Sequence, residues 1–549
     1  MEKHLLTLWK TIPSGNVKHE EIASTLGFST KQTTRYIKKW TAQGWFSYTA
    51  GRGRGNLSKL VWLKNVEEIY EEQLMKIIEQ QAVEESSKYL LYDWSSESKL
   101  RLLNQFRLRF GYFQNAEEVD KLIIPRKYPL LTLHPLEALD IQSANMVANV
   151  FNRLVAVDEV GLISPELAHT WDMQDSRLRI YLHKDVKFHD GSLLTAEDVV
   201  TCMNRLRNHH IFKTLWEPVT LVKAVAPLVV DFHFPGGCSY CLQMLGMMNS
   251  SIYKESKGKV LGTGGFYEAE NVKEKTSLKA FGDYFQTRPL LDVIDFVQVP
   301  ADFDITYRSA SQAQEDTMFQ VESDTGFGVV IMNAFRSSAI QHKEVRDYVH
   351  FVITKHRKGI SQYHLRALPN SQSCLIGHSQ EYAVQKVERP HFEQPLILKA
   401  VKDTEKAAVW LKEALEKEDV PVQMQWLSFG DKLLDHGEDQ QADLFVHGEV
   451  LEINQNFSFY HFLKNNNSPL AANLSKNKQI LEQYSQTPFE EWTSLNLQIE
   501  KMLLESSIMV PLYYEKRQIP FSADLMNIKI SHFGYVDFST LWVRPVIKE

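Results

Sequence analysis

The sequence predicts an α/β protein in three parts: a small basic module of helices and a hairpin, a helical connection, and a large α/β body. Three observations predict it. The first 64 residues carry eleven Lys and Arg against three acids, 11 − 3 = +8; the whole chain is −7, which leaves −15 for the rest. Apolar residues in that basic segment recur at helical spacing and then give way to two short alternating runs around a Gly/Arg loop. From Leu162 to Leu206 the pattern becomes an alternating strand (Leu178, Ile180, Leu182), Phe188, an Asp190-Gly191 turn and a helix starting near Thr195.

Met1 to about Ile12 reads as a helix closed by Pro13-Ser14-Gly15, and His19 to Leu26 as a second ending at Gly27. Ser29 opens a third: with Gln32 it fits a capping box, and Gly44 supplies the stop. Thr33, Tyr36, Ile37 and Trp40 share one face of this helix, Lys31, Thr34, Arg35 and Lys38 the other. The run WFSYTAGRGRGNLSKLVWL follows as two strands around a loop. Helix, helix, helix, hairpin is the order of a winged helix-turn-helix, and its positive charge implies an anionic partner, double-stranded DNA first. Lys31, Gln32, Thr34, Arg35 and Lys38 are then the groove-facing candidates, with Arg52 and Arg54 of the loop on phosphates or the minor groove. A helical protein-interaction domain with a solvated basic helix is the plainer alternative.

The helix end Gln43-Gly44-Trp45-Phe46 and the loop from Gly51 to Asn56 resemble the DNA-binding domain of SgrR-type transcription regulators. The stretch from Leu162 to Leu206, with its L-x-P-x-L-A start, Trp171, F-h-D-G turn and t-A-e-D-V helix, is similar to the family 5 extracellular solute-binding proteins. Weaker likenesses to that family run on. They include Asn152-Arg153-Leu154 in place of E-G-L, Leu261 to Tyr267 with Gly265 in place of Pro, and the segments 281–300, 329–358 and 508–517. SgrR-type regulators join these two modules in one chain, so the resemblance implies a regulator that senses a small molecule: a peptide, a sugar or a sugar phosphate. It also implies a two-lobed, type II periplasmic-binding-protein-like body with crossing strands and a ligand held between the lobes.

The expected boundaries are 1–65 for the winged helix-turn-helix, 66–120 for a helical linker and 121–549 for the body, with lobe one at 121–300 plus 508–549 and lobe two at 301–507. The stretch 66–113 reads as two helices, either a dimerisation arm or a bundle packing the module onto the body; symmetric operators make a homodimer reasonable. Ligand-binding candidates by analogy are Trp171, Asn333, Trp426 and Glu452. Glu452 matches loosely the place of an acidic residue that pairs with a ligand amine; a surface glutamate is the plainer reading.

Composition of 44% hydrophobic and 23% charged residues is ordinary for a soluble protein of 549 residues. No run of about eighteen apolar residues predicts a membrane span. The amino terminus has neither a signal-peptide pattern nor a lipobox cysteine, and four cysteines suit a reducing compartment, so the expectation is a cytoplasmic protein. The alternative role, the solute-binding component of an ABC-type importer, would require export. No catalytic residue, metal or cofactor is expected. Cys238-Ser239-Tyr240-Cys241 lacks the further ligands of a zinc site, His209-His210 lacks a ligand set, and the serine-elbow, P-loop and zincin motifs do not occur.

Overall fold

The computed structural model describes residues 1–51, 57–81, 83–114, 119–138, 140–158, 161–300, 303, 318–364, 367–370, 372–379, 387–401, 404–427, 441–450, 454–465, 470, 473–474, 478–522, 525–530 and 535–543. The amino module runs α1 (Lys3–Thr11), β1 (Gly15–Val17), α2 (His19–Leu26), α3 (Thr30–Ala42), β2 (Phe46–Thr49) and β3 (Ser58–Trp62). Its three strands are antiparallel in the order β1–β3–β2, with Phe46 opposite Trp62 and Tyr48 opposite Leu60. Strand β1 is an addition to the expected elements; three residues are too few for a readable period. Gly27, at φ 65°, ends α2, and Gly44, at φ 72°, lets the Trp45 amide reach back to the Trp40 carbonyl at 3.1 Å.

The expected linker is not one. Residues after Val66 form three helices and a strand: α4 (Val66–Gln80), α5 (Val83–Leu90), α6 (Ser96–Arg107) and β4 (Gly111–Gln114). Tyr70, Leu74 and Phe106 lie in the same buried cluster as Leu5, Ile37 and Trp40, so the helices complete the winged helix's core. Gly111, at φ 121°, turns the chain out of α6 into β4, where a second helix was expected to continue to 113.

Strand β4 pairs antiparallel with β5 (Asp120–Arg126) and so becomes the edge of the first lobe's sheet. That lobe continues through α7 (Ile141–Val150), the hairpin β6 (Val155–Val157) and β7 (Ile163–Pro165), β8 (Ala168–Gln174), β9 (Arg177–Leu182), α8 (Ala196–Asn208), β10 (Leu221–Ala226) and β11 (Val229–His233). After α9 (Cys241–Leu245) and the hairpin β12 (Lys254–Ser256) and β13 (Lys259–Leu261) come β14 (Phe266–Asn271), β15 (Lys275–Ala280) and β16 (Val293–Gln298). The main sheet is ordered β14–β15–β16–β5–β4, with β16 and β5 parallel. Within the stretch that first suggested the fold, Leu178, Ile180 and Phe188 are buried, Gly191 turns at φ 83°, and Thr195 and Asp198 close a reciprocal capping box on α8. The Asn152-Arg153 departure is used internally: Asn152 donates to Glu166 at 2.8 Å and accepts from Thr263 at 3.0 Å, and Arg153 pairs with Glu166 at 3.2 Å.

The second lobe holds β17 (Met318–Met332), α10 (Lys343–His356), α11 (Ile360–Tyr363), β18 (Ala367–Pro369), β19 (Leu396–Val401), α12 (Glu405–Glu416), β20 (Val422–Leu427), β21 (Leu444–Val450), α13 (Gln455–Asn465), α14 (Lys478–Gln486), α15 (Trp492–Glu505) and β22 (Met509–Ser522). Its sheet is ordered β18–β22–β17–β21–β19–β20. Val330, Val352 and Leu411 pack on the face covered by α10 and α12, whereas Phe327, Phe462 and Leu503 lie in the cluster of the other face. Strands β17 and β22 are 15 and 14 residues long, each about 45 Å when extended. Only 326–332 of β17 pairs with β21; its earlier half pairs with β22 alone, and this two-stranded ribbon is the crossing between the lobes. The expected boundary at 508 is therefore corrected: Met509 to Glu515 belong to the second lobe's sheet, and the chain rejoins the first lobe after the ribbon. There β23 (Leu525–Met526) pairs with β24 (Trp542–Val543), and the Asn149 side chain donates to the Val536 carbonyl at 3.0 Å and accepts the Phe538 amide at 2.9 Å.

Candidate nucleic-acid interface and solute cleft

Helix α3 starts where the Ser29 hydroxyl accepts the Gln32 amide at 3.4 Å. Its buried face carries Thr33, Ile37 and Trp40; Lys31, Thr34, Arg35 and Lys38 are exposed on the opposite face, with Gln32 half-buried beside them. Five of the seven expected contact residues thus fall on one helix. Arg52 and Arg54 lie outside the described residues. Thr34 also meets His19 of α2 at 3.1 Å, so the start of α2 adjoins the exposed face, a contact that helical spacing in either helix alone does not reveal. Arg35 lies over the Tyr36 ring at 5.4 Å, an orientation that stiffens its long side chain.

The lysine next in sequence shows the contrast. Lys39 pairs with Glu2 at 3.0 Å, and the same carboxylate accepts the Trp40 indole N–H at 3.3 Å. Lys31, Arg35 and Lys38 have no carboxylate partner among the described residues, so their field is left for a polyanion outside the chain. The arrangement can bind phosphates and present a bidentate donor, Arg35, to a base edge.

In the body, the carboxyl ends of β19, β20 and β21 lie at the crossing side of the second lobe's sheet, since Val450 is in register with Gly326 at the ribbon's end and β19 runs parallel to both of its neighbours. Such ends are where open α/β sheets take ligands. Trp426, near the end of β20, is 47% exposed and lies at this side. Trp171 is half-buried on the edge strand β8 opposite Ile180, against the core. Asn333 contradicts its expected role. It is 1% exposed at the end of β17 remote from the crossing, its amide donates to the Ala442 carbonyl at 3.2 Å, and its carbonyl accepts the Phe335 amide at 3.2 Å. Both polar ends are consumed in forming a turn. Glu452 lies outside the described residues. The structure instead shows a pair on β21 that was missed, His447 and Glu449 at 2.9 Å, whose spacing of two puts them on one sheet face beside Phe462.

The two lobes touch through the Cys238–Cys241 stretch. Tyr240 is 1% exposed, its ring 5.0 Å from Tyr460 and 5.4 Å from Trp492, with the two tyrosine hydroxyls 2.9 Å apart. Ser239 adds a 2.8 Å hydrogen bond to the Tyr484 carbonyl. Cys238 and Cys241 are buried free thiols beneath this contact; the hydrogen bond to Cys238, with burial, pushes the Cys241 thiol up, away from reactive thiolate. The His209 and His210 rings lie 4.4 Å apart at a tilt of 41°, and no group of three or more metal-ligating side chains occurs among the described residues. No helix among the described residues is long and apolar enough to cross a membrane.

A winged helix on a two-lobed, solute-binding-type body is the class this geometry defines. The family described as "Sugar transport-related sRNA regulator N-term" matches residues 3–109, and "Bacterial extracellular solute-binding proteins, family 5 Middle" matches 163–324. The chain carries an SgrR-type amino-terminal domain followed by a family 5 solute-binding domain. It is 25% identical over 328 residues to the HTH-type transcriptional regulator SgrR of Yersinia enterocolitica, a match covering 58% of this chain and 57% of that relative. The SgrR regulator of Pectobacterium atrosepticum is 20% identical over 579 residues, covering 99% of both chains. Among solved structures, a dipeptide-binding protein of Pseudoalteromonas in complex with Met-Leu aligns with TM-score 0.64 at 16% identity, covering 77% of this chain and 100% of that one. The oligopeptide-binding protein AppA of Bacillus subtilis, with a nonapeptide, aligns with TM-score 0.60 at 17% identity, covering 77% and 99%. These structural likenesses show the fold of the body.

Proposed function

We propose that this chain is a DNA-binding transcriptional regulator whose two-lobed body senses a small solute. The observation that carries the reading is the unneutralised stripe of Lys31, Arg35 and Lys38 on a capped, exposed helix, beside a lysine the chain does neutralise. Lys31, Gln32, Thr34, Arg35 and Lys38 enter the major groove, and Arg52 and Arg54 reach the adjacent backbone or minor groove. The chain is not an enzyme, and the cytoplasm is where it acts. Two copies on a symmetric operator suit a helix-turn-helix protein.

The solute occupies the space between the lobes, so that its affinity is tied to their closure. Trp426 offers an accessible ring there, Glu452 a carboxylate, and Trp171 an edge nearer the core. The ligand class is a peptide, as in the Pseudoalteromonas and Bacillus subtilis structures named above, or a sugar or sugar phosphate. Arg35→Ala tests the DNA reading: operator fragments recovered by genomic footprinting bind the variant weaker by about 1–3 kcal/mol if Arg35 reads a base edge. An unchanged gel shift removes this face from the interface. Equilibrium binding against peptides, sugars and sugar phosphates tests the sensor half, and uniform silence with intact operator binding refutes it.

A further inference from the structure

We propose that the start of α12, together with the Tyr513 hydroxyl, holds the anionic group of the solute, a phosphate or a carboxylate; the inference deepens the sensor reading above and rests on it. Strand β19 ends at Val401, on the crossing side of its sheet, and α12 begins at Glu405. The amino end of a twelve-residue helix therefore lies at the end of the sheet where the crossing runs. The first amides of a helix have no partner within it, and the aligned peptide dipoles favour negative charge there. Thr404 does not fill that place. Its hydroxyl is turned to the Val401 carbonyl at 3.2 Å and the Val446 carbonyl at 3.4 Å, and its side chain makes no cap. Glu405 and Lys406, the first residues of the helix, are exposed and of opposite charge, so together they add no net charge to the spot.

The second observation is Tyr513. A bulge in β22, between the pairs Gly328–Tyr513 and Val329–Pro511, turns its ring onto the sheet face that α12 covers, and Gly328 makes room for the ring. The residue is 3% exposed, yet its hydroxyl makes no hydrogen bond among the described residues. A buried hydroxyl without a partner is costly unless a ligand or water supplies one. Gly448, opposite Gly328, shows where it aims. A methyl group built on Gly448 would lie 4.0 Å from the Tyr513 hydroxyl and 3.5 Å from the Thr404 methyl, so the hydroxyl and the helix start flank one spot. Burial pushes the tyrosine well above its ordinary value, which keeps it a donor. Backbone amides and a neutral phenol together select an acceptor that carries negative charge. Glu515, the acid next along the tyrosine's strand, stands opposite Gly326, one step nearer the crossing. Strand alternation puts Trp426 on the same sheet face as Val422 and Met424, and its exposed ring is left for the rest of the solute.

Calorimetric titration of the full chain tests this with paired probes: the 6-phosphates of glucose, fructose and mannose, each against its parent sugar, and Met-Leu against Met-Leu amide. At least one charged probe should bind about tenfold tighter than its uncharged counterpart. Tyr513→Phe should weaken that probe by about tenfold to a hundredfold, the range for a hydrogen bond to a charged group, and leave the uncharged counterpart unchanged. Because the hydroxyl has no partner to lose, this variant should keep the urea midpoint of the unmutated chain; a lower midpoint would show a bond within the chain and overturn the site. Gly448→Ala, whose methyl group makes only ordinary contacts, puts an apolar atom between the two donors and should weaken the same probe. Anion binding at the Lys31, Arg35 and Lys38 face is common to all these chains and cancels. Preference for a sugar phosphate over its sugar assigns a phosphate, and preference for the peptide over its amide assigns a carboxylate. Equal affinity for charged and uncharged probes, or undiminished anion binding in Tyr513→Phe, overturns the site and leaves the sensor reading standing. Silence of every probe overturns the site, and silence across the wider set of solutes with DNA binding intact refutes the sensor reading as well.

Discussion

Replacing Tyr240 with alanine should loosen the second lobe from the first. The ring is almost fully buried and meets Tyr460 at 5.0 Å, Trp492 at 5.4 Å and Phe457 at 6.2 Å, all in the helical layer of the second lobe. Truncating a buried aromatic side chain costs about 3–5 kcal/mol, part of it a cavity the surroundings cannot fill. Contacts made only while the lobes touch favour the closed arrangement, and about 3 kcal/mol of them shifts its ratio to the open one by more than about a hundredfold. Tyr240→Phe separates the two components. It keeps the ring and removes one hydroxyl from the Tyr460 pair, for a cost of about 1 kcal/mol. Small-angle scattering of the full chain should show a larger radius for Tyr240→Ala and an unchanged one for Tyr240→Phe, with urea midpoints falling in the same order. Unchanged compactness and stability in the alanine variant would refute the claim that this ring holds the lobes together.

Three more outcomes follow from the same contacts. Ser29→Ala should cost the amino module about 1 kcal/mol by leaving the Gln32 amide at the start of α3 without its cap, measured as a lower urea midpoint; equal stability would deny the cap a role. Gly328→Ala drives a methyl group into the Tyr513 ring, so overpacking of about 1–3 kcal/mol is expected, and Tyr513→Leu in the same chain should recover part of it; a neutral Gly328→Ala would show that the ring moves freely. Burial lowers His189 to about 4 and His350 to about 3. The unfolded imidazoles protonate near 6.5 while the folded ones do not, so the unfolded chain binds more protons and stability falls as the pH drops from about 6.5 towards 4. His189, whose ring accepts the Gly262 amide at 3.3 Å and bonds the Gly264 carbonyl at 3.1 Å, contributes about 3 kcal/mol of that loss, and His189→Gln should flatten the profile. A flat profile in the unmutated chain would contradict it.

Local grammar was legible because its causes are local. Ser29, Gly44 and the split faces of α3 place that helix, and Asp190-Gly191 with Thr195 and Asp198 places the turn and helix of the first lobe. Strand β1 was hidden because three residues carry no period, and β4 because Tyr112 and Phe113 prolong the apolar run of α6 although Gly111 has already turned the chain. The Asn333 misreading has the same root. A motif match fixes a residue's place along the strand, whereas its use depends on Ala442 and Phe335, one of them far away in sequence.

What sequence could not show is how the parts join. Phe303, Val297 and Tyr240 read as ordinary core residues of whichever segment contains them, since an apolar side chain carries no mark of the partner that covers it. In the folded chain each is covered by a different module: Phe303 and Val297 by the amino module's helices, Tyr240 by the second lobe. The first lobe is thus gripped on two sides, with β4 also hydrogen-bonded to its sheet edge. A linker of independent helices would let the amino module tumble and would average away any signal from the body. A shared core and a shared sheet instead fix the amino module, and α3 with it, to the first lobe.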